Sequence, residues 1–236
     1  MPSVLTEAER IFYAEKGYLV VNNLLSSDYC AWLLAIFEAH AESDFPGILN
    51  IELKAPEILH LIKQPLLVAI VEEVLGGEAL CIGSQVLFKK PGTPFARHAW
   101  RPHQDNAYLR ARRGVSLSAI FSLADSDPEN GGMYLYPQSH HEPLLPFVPH
   151  PSFDPQDNPG NEVGVPAHYD KSDLYLPKGS LYVQHGNLIH GSYPNTSVVR
   201  SRPHFGIMYI LRGENYTLGS RRREVAYEIT LHQSII

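Results

Sequence analysis

The stretch "ALCIGSQVLFKK", residues 79 to 90, marks the point where the sequence changes from helical to strand-like patterning. Four later segments share its character, because they are short, rich in β-branched and aromatic residues, and bounded by clusters of Pro, Gly, Asn and Asp. These segments are "VSLSAIFSLAD" (115–125), "MYLYP" (133–137), "SLYVQHG" (180–186) and "FGIMYILR" (205–212). Together they predict an antiparallel double-sheet barrel, the jelly roll or double-stranded β-helix that cupins also use.

The residues before this stretch predict supporting α-helices. Thr6 and Glu9 have the spacing of a capping box, and Gly17 supplies a stop before the short buried strand "YLVV". The segment "YCAWLLAIFEAHAE" (29–42) has a broad apolar face. A further helix is predicted over "PLLVAIVEEVLGG" (65–77), which begins with proline and ends with two glycines.

The length and composition indicate one globular domain. A chain of 236 residues with 44% hydrophobic and 19% charged residues can bury a full core. We therefore expect a single, mainly β domain over residues 1–236, with mostly helical support in 1–77 and the jelly-roll core in 78–236. Within that core, residues 142–170 contain seven prolines and little periodicity, which predicts a long loop and a candidate lid.

Charge and targeting signals narrow the partners and the compartment. The net charge of −6 argues against a nucleic-acid partner held by bulk electrostatics. No apolar run approaches the length of a membrane span, and the N-terminus lacks the apolar region of a secretory signal. The two cysteines, Cys30 and Cys81, predict small buried side chains in a reducing compartment. We expect a cytoplasmic protein with no obligate protein partner.

Two H-x-D patterns are candidate metal-binding pairs. The stretch "RPHQDNAYLR" (101–110) contains His103 and Asp105, and the stretch "HYD" contains His168 and Asp170. In a strand, residues i and i+2 project from the same face and could bind one ion. The prolines around "HYD" favour a loop there, and an exposed polar loop is the alternative for "HQD".

A third potential ligand favours "HQD" as the metal pair. The segment "KGSLYVQHGNLIHGSYPNTS" (178–197) carries His185 and His190, and a strand ending in "NLIHGS" would place His190 at the rim of the barrel interior. Two histidines and one carboxylate on one face form the facial triad typical of non-haem Fe(II) sites, which leaves coordination positions open for chemistry.

The sequence resembles the phytanoyl-CoA dioxygenase family of Fe(II)- and 2-oxoglutarate-dependent oxygenases over nearly its whole length. Five stretches in the right order carry the resemblance. They are "LTEAERIFYAEKGYLVVNNLLS" (5–26), "LFKKPG" (87–92), "HQDNAY" (103–108), "FSLADSDPENGGMYLYPQSH" (121–140) and "HGSYPNTS" (190–197). Gln138 stands where the family has glycine in its Pro-Gly-Ser-His turn.

The resemblance implies that Fe(II) is bound by His103, Asp105 and His190. The presence of Asp105 implies hydroxylation or a related oxidation, since halogenating relatives lack this carboxylate. The chemistry it implies consumes 2-oxoglutarate and O2, releases succinate and CO2, and oxidises an unactivated C–H bond of a small-molecule substrate. His185 and the pair "HH" at 140–141 do not match ligand positions, and we interpret them as structural.

The resemblance also implies a 2-oxoglutarate site. The family places an arginine eleven residues after the last histidine, where this chain has a serine between Arg200 and Arg202. The spacing to a following tyrosine fits Arg202, with Arg200 as the alternative, and a guanidinium suits a carboxylate. The resemblance further implies that three more residues touch this co-substrate: Ser192, Gln85 and Phe121. A place in the hydrophobic core is the alternative for Phe121.

The substrate is less defined than the chemistry. His98, Arg101, Tyr108 and Arg110, with the neighbouring arginines at 112 and 113, predict a basic cluster near the metal pair that would recognise an anion, or else a solvated turn. A small anionic metabolite or natural-product intermediate is the expected substrate class. The alternatives are an acyl-CoA hydroxylase of the same family, a zinc-dependent hydrolase, and a cupin-like binding protein without catalysis.

Overall fold

The computed structural model describes residues 3–41, 47–148, 162–217 and 228–232. Its described α-helices all lie before residue 77, as the sequence predicts. Thr6 caps the first helix, with Glu9 N to Thr6 Oγ1 at 3.2 Å and Thr6 N to Glu9 Oε2 at 2.7 Å, and Gly17 ends it at φ +81°. The α-helices are α1 (Glu7–Lys16), α2 (Ser27–His40), α3 (Ile58–Ile62) and α4 (Pro65–Leu75), and short 3₁₀ helices cover Ile51–Leu53, Pro94–Arg97, Asp105–Tyr108 and Ser139–His141.

Among the described residues, none of the helices is long and apolar enough to cross a membrane.

The strands form two antiparallel sheets. The strands are β1 (Tyr18–Val21), β2 (Gly47–Leu49), β3 (Ala79–Lys89), β4 (Trp100–His103), β5 (Ser116–Ser122), β6 (Met133–Leu135), β7 (Ser172–Asp173), β8 (Leu181–His185), β9 (His190–Ser192), β10 (Arg202–Leu211) and β11 (Ile229–Thr230). The larger sheet has the order β1-β8-β5-β10-β3-β11, with β2 also paired to β3, and the smaller sheet has the order β4-β9-β6-β7. The predicted mainly β jelly-roll fold is confirmed.

Side-chain alternation divides the larger sheet into two faces. On β5, Leu117, Ala119 and Phe121 belong to the main core cluster, which also contains buried residues of α2, α3 and α4. Ser118 and Ile120 point the other way, towards the smaller sheet and the barrel interior. Residues i and i+2 share a face of a strand, so the even-numbered residues of β5 face the site.

Two local features bear on the predicted turns and loops. Gln138, at the position where the family has glycine, adopts a left-handed backbone with φ +72°, the conformation that glycine reaches at no steric cost. Within the predicted loop 142–170, the described residues contain no helix or regular strand, only an isolated bridge between Phe147 and Val163. Residues 149–161 lie outside the described part. The single domain over 1–236 stays a prediction.

Candidate metal centre and co-substrate pocket

Three expected ligands meet at the rim of the barrel. His103 ends β4 and pairs in register with His190, the first residue of β9. The sequence predicts that Asp105 lies in the same strand as His103. Strand β4 instead ends at His103, and Asp105 begins the 3₁₀ helix Asp105–Tyr108. Gln104 between them is extended, which keeps the two ligands on one side. The three ligand atoms lie within 4.8 Å of one another, the one such group among the described residues.

Backbone carbonyls fix the orientation of both imidazoles. His103 Nδ1 lies 2.7 Å from the carbonyl oxygen of Arg101, and His190 Nδ1 lies 2.9 Å from that of Leu188. A carbonyl oxygen only accepts hydrogen bonds, so each Nδ1 carries the proton and each Nε2 keeps its lone pair. The bare Nε2 atoms face Asp105 Oδ1, at 3.7 Å for His103 and 3.6 Å for His190.

Asp105 is held by two neutral donors on its other oxygen. Its Oδ2 accepts from Ser118 Oγ at 2.6 Å and from Gln184 Nε2 at 2.8 Å, which leaves Oδ1 for a metal. Burial acts to raise the pKa of Asp105, but the two imidazoles and these hydrogen bonds together lower it below its usual value. Burial, followed by the charge of His190, lowers the pKa of His103 to about 4. Two neutral imidazoles and one carboxylate are a donor set that fits Fe(II).

Sequence reasoning missed Ser118 and Gln184, although both touch the carboxylate. Gln184 is fully buried, and its Nε2 also lies 3.1 Å from His190 Nε2, so this one amide contacts two of the three ligands. The alternation of side chains along a strand is the sequence signal that could have predicted both residues. On β8, Gln184 shares the interior face with Tyr182, and it pairs in register with Ser118 of β5.

We expect Ser118→Ala to weaken metal binding by ~10-fold, because a metal site loses affinity for its ion when a residue that orients one of the metal ligands is removed. Anaerobic titration with Fe(II) would measure the dissociation constant. The matched control is Ser116→Ala, two residues earlier on the same face of β5, which should leave that constant unchanged. Equal Fe(II) affinities in Ser118→Ala and Ser116→Ala would show that Ser118 does not position Asp105.

Arg202 and Ser192, expected to bind the co-substrate, are both buried, and both lie next to Lys89. Arg202 begins β10 and is 2% exposed, and its Nε donates to the Gly131 carbonyl at 3.0 Å. Burial lowers the pKa of Arg202 to about 9, so a nearby anion would stabilise its charge. Ser192 ends β9 and is buried, and its Oγ accepts from Lys89 Nζ at 2.9 Å.

Arg200, the alternative to Arg202, is already engaged by acidic side chains. Its NH1 and NH2 reach the two oxygens of Asp127 at 2.7 and 2.9 Å, and NH2 also lies 2.6 Å from Glu129 Oε2. The hydrogen bonds that the guanidinium donates to these two carboxylates raise the pKa of Arg200 above its usual range. Because its guanidinium is paired on the surface, the geometry favours Arg202 for the co-substrate.

The placement of Gln85 agrees with its expected role, but that of Phe121 does not. Gln85 of β3 pairs in register with Gly206 on the interior face, in line with Arg202. Phe121 pairs with Phe205 and Leu181 on the opposite face, where all three belong to the helix-covered core. The assignment of Phe121 to the co-substrate pocket is therefore wrong. A shift of one residue along a strand moves a side chain to the opposite face of the sheet. The neighbouring residue Ile120 faces the barrel interior instead.

Two arginines of the predicted basic cluster pair with carboxylates, and a third donates to a carbonyl oxygen. Arg101 NH1 lies 2.9 Å from Glu162 Oε2, Arg112 pairs with Glu214, and Arg113 donates to the His141 carbonyl. These acidic partners come from distant parts of the sequence. The other three residues occupy separate surroundings: His98 packs against the Phe95 and Trp100 rings, Tyr108 ends a 3₁₀ helix, and Arg110 is exposed at φ +51°. Their role in substrate binding stays a prediction.

Three other histidines singled out by the sequence, His140, His168 and His185, do not belong to the metal group. His140 Nε2 lies 3.1 Å from the carbonyl oxygen of Ala14 near the end of α1, and its ring lies 5.1 Å from that of His185. Burial lowers the pKa of His140 to about 4 and that of His185 to about 3, so both are neutral packing groups near pH 7. His168 of the second H-x-D pattern lies in a turn with its side chain 67% exposed.

Comparisons with known proteins agree on one family and one fold. The family model described as phytanoyl-CoA dioxygenase (PhyH) matches residues 13–203. The peroxisomal phytanoyl-CoA dioxygenase of Rattus norvegicus is 26% identical over 230 residues, covering 82% of this chain and 65% of the rat protein. Phytanoyl-CoA dioxygenase 1 of Oryza sativa subsp. japonica is 31% identical over 122 residues, covering 50% of this chain and 40% of the rice protein. The chain thus spans less than two thirds of the length of these curated relatives.

Solved structures share the fold at low sequence identity. The non-heme alpha ketoglutarate dependent carbocyclase SnoK from nogalamycin biosynthesis superposes with a TM-score of 0.74 at 20% identity, covering 92% of this chain and 88% of SnoK. EvdO2 from Micromonospora carbonacea var. aurantiaca, complexed with 2-oxoglutarate, gives a TM-score of 0.70 at 19% identity, covering 94% of this chain and 96% of EvdO2.

Proposed function

This chain belongs to the phytanoyl-CoA dioxygenase family, and from that premise we propose that it is an Fe(II)- and 2-oxoglutarate-dependent dioxygenase that hydroxylates a small anionic substrate. The observation that carries the proposal is the convergence of two imidazole Nε2 atoms and one carboxylate oxygen within 4.8 Å, with both Nδ1 protons bound to carbonyls. When bound, Fe(II) with 2-oxoglutarate and O2 supplies C–H oxidation with release of succinate and CO2.

The residues of the chain divide the work of that reaction. His103, Asp105 and His190 would hold the metal, and three protein ligands would leave coordination positions free for the co-substrate and O2. Arg202 binds the distal carboxylate of 2-oxoglutarate, and its two-nitrogen fork suits that planar group. No side chain has to act as a general base for hydrogen abstraction, so the tasks of the protein are orientation and exclusion of water.

The barrel interior supports the exclusion of water. Next to the site, the two sheets bury an apolar cluster of six residues and one tyrosine. It consists of Ile120, Met133, Leu135, Leu174, Leu176, Tyr182 and Leu188. An apolar wall beside the metal protects a strong oxidant from side reactions with solvent and reductants.

The proposed substrate is a small metabolite or natural-product intermediate. Two structural neighbours, SnoK and the epimerase SnoN, come from nogalamycin biosynthesis, and SnoN was crystallised with a nogalamycin compound. An acyl-CoA substrate of the kind named for the rat relative is the alternative. Arg101 and Arg112 already pair with Glu162 and Glu214, which leaves less basic surface for a nucleotide.

Two other classes of function explain the site less well. A zinc hydrolase could use the same three ligands, but it has no use for the buried Arg202. A binding module without catalysis would tolerate the loss of a ligand, and all three ligands are present. A cytoplasmic location and the absence of nucleic-acid, membrane and obligate protein partners stay predictions.

A metabolite screen tests the proposed substrate class. The Fe(II)-loaded protein is incubated with 2-oxoglutarate and O2, and succinate formation is measured with and without each candidate compound. We expect small carboxylated or phosphorylated compounds to stimulate succinate formation, with one hydroxylated product formed per succinate. Stimulation by acyl-CoA thioesters alone would contradict the assignment to a small anionic substrate.

A further inference from the structure

A buried lysine adjoins the expected co-substrate site without a role in the metal centre. Lys89 is the last residue of β3 and is fully buried. It pairs in register with Arg202 of β10, and directly opposed residues of an antiparallel pair project from the same face. The two longest cationic side chains of the interior therefore lie side by side.

The described contacts of Lys89 are with neutral groups. Its Nζ donates to Ser192 Oγ at 2.9 Å and to the Tyr193 carbonyl, and it lies 5.3 Å from the centre of the Trp100 ring. Within residues 3–41, 47–148, 162–217 and 228–232, neither Lys89 nor Arg202 forms an ion pair with a carboxylate. Two adjacent buried cations without an internal anion are costly in free energy, which indicates that a bound anion compensates them.

A third basic side chain lies in the same place. His204 follows Arg202 on the same face of β10 and is 2% exposed, and its buried Nε2 has no hydrogen-bond partner among the residues that the structure describes. The strand register places His204, Arg202 and Lys89 on the interior face. Burial lowers the pKa of His204, and the charges of Arg202 and Lys89 lower it further. Burial and the charge of Arg202 likewise lower the pKa of Lys89.

We propose that Lys89 is a second cationic ligand for the distal carboxylate of 2-oxoglutarate and that, with Arg202, it makes the pocket selective for dicarboxylic 2-oxo acids. This inference rests on the proposed function. Ser192 links the two assignments, because its hydroxyl is expected at the same carboxylate and is already bonded to Lys89 Nζ. Two cations around one carboxylate favour the charged tail of 2-oxoglutarate over an apolar tail of equal length.

The adjacent residue provides a matched control. Lys90 has the same side chain and lies one position further along the chain, but it is exposed beyond the end of β3. Lys89→Met and Lys90→Met therefore remove the same charge from the same stretch, one inside the barrel and one in solvent. Methionine has a length and flexibility similar to those of lysine and can fill the buried site without a cavity.

The test is an anaerobic titration of the Fe(II)-loaded protein with 2-oxoglutarate and, separately, with 2-oxopentanoate, which lacks the distal carboxylate. The visible charge-transfer band reports binding. We expect Lys89→Met to weaken 2-oxoglutarate binding by about 10- to 100-fold, the usual loss for a charge-assisted contact, and Lys90→Met to leave it unchanged. Binding of 2-oxopentanoate should be the same in both variants and in the wild type.

Thermal unfolding separates this role from a structural one. Replacing a buried uncompensated charge with an apolar group is often neutral or stabilising, so we expect the melting temperature of Lys89→Met to equal or exceed that of the wild type. Lys89→Gln, which keeps hydrogen-bonding groups without the charge, should lose the same affinity for 2-oxoglutarate.

Two results would overturn the inference. One is wild-type affinity for 2-oxoglutarate in Lys89→Met and Lys89→Gln. The other is an equal loss for 2-oxoglutarate and 2-oxopentanoate together with a lower melting temperature, which would make Lys89 a structural residue. A wild-type protein that binds Fe(II) but not 2-oxoglutarate would instead defeat the proposed function, and this inference with it.

Discussion

Replacing Asp105 with alanine is expected to reduce the affinity for Fe(II) by at least ~100-fold and to remove 2-oxoglutarate turnover, because the carboxylate is the sole anionic ligand of the group. Its Oδ1 lies between the Nε2 atoms of His103 and His190, at 3.7 and 3.6 Å. Without it, two neutral imidazoles remain to hold a divalent cation. Anaerobic Fe(II) titration and a succinate assay measure the two effects.

The second H-x-D pattern supplies the control for this prediction. Asp170 has the same sequence context two residues after a histidine, but it is exposed and its histidine neighbour is 67% exposed. Asp170→Ala should therefore keep wild-type metal affinity and turnover. Asp105→Asn, which keeps hydrogen-bonding capacity towards Ser118 and Gln184, separates loss of the ligand charge from loss of local structure. Unchanged Fe(II) affinity in both Asp105 variants would refute the assignment of this ligand.

Replacing Arg202 with alanine is expected to weaken 2-oxoglutarate binding by ~100-fold, whereas Arg200→Ala should change it by less than ~3-fold. Arg202 is buried on the interior face, where it donates to the Gly131 carbonyl and adjoins Lys89. Arg200 is partly exposed and already held by Asp127 and Glu129. The dissociation constant for 2-oxoglutarate in the Fe(II)-loaded variants is the quantity to compare.

The pair of variants also tests the sequence register around the co-substrate arginine. The family spacing falls between Arg200 and Arg202, and the assignment to Arg202 assumes that the extra residue lies in the turn before β10. Fe(II) affinity should be the same in both variants, because neither arginine contacts the metal group. A larger loss of 2-oxoglutarate binding in Arg200→Ala than in Arg202→Ala would show that the extra residue lies elsewhere.

Much of the fold follows from local sequence. The β-branched and aromatic content of "ALCIGSQVLFKK" and its four counterparts predicts strands that the structure contains, and capping residues such as Thr6 and Gly17 predict the ends of α1. These features depend on neighbours within a few residues of one another. The short helices α3 and Ile51–Leu53 were not predicted, because tertiary packing of their apolar residues defines them more than any capping signal.

The site residues that could not be predicted from the sequence depend on contacts between strands that are distant in the chain. Ser118 and Gln184 reach Asp105 from β5 and β8, which are separated from it by 13 and 79 residues. The family resemblance implies a place for Phe121 in the co-substrate pocket, but the face of the strand on which Phe121 lies depends on a pairing register that no local pattern fixes. The basic cluster around Arg101 looked unpaired because its acidic partners are distant in sequence.

The most direct test of the central claim is the anaerobic addition of Fe(II) and then 2-oxoglutarate to the metal-free protein, followed by visible absorption. The expected result is a metal-to-ligand charge-transfer band that needs both additions. It should form in Asp170→Ala and be lost in Asp105→Ala. Absence of the band in folded wild-type protein that has bound Fe(II) would contradict the claim that this chain is a 2-oxoglutarate-dependent dioxygenase.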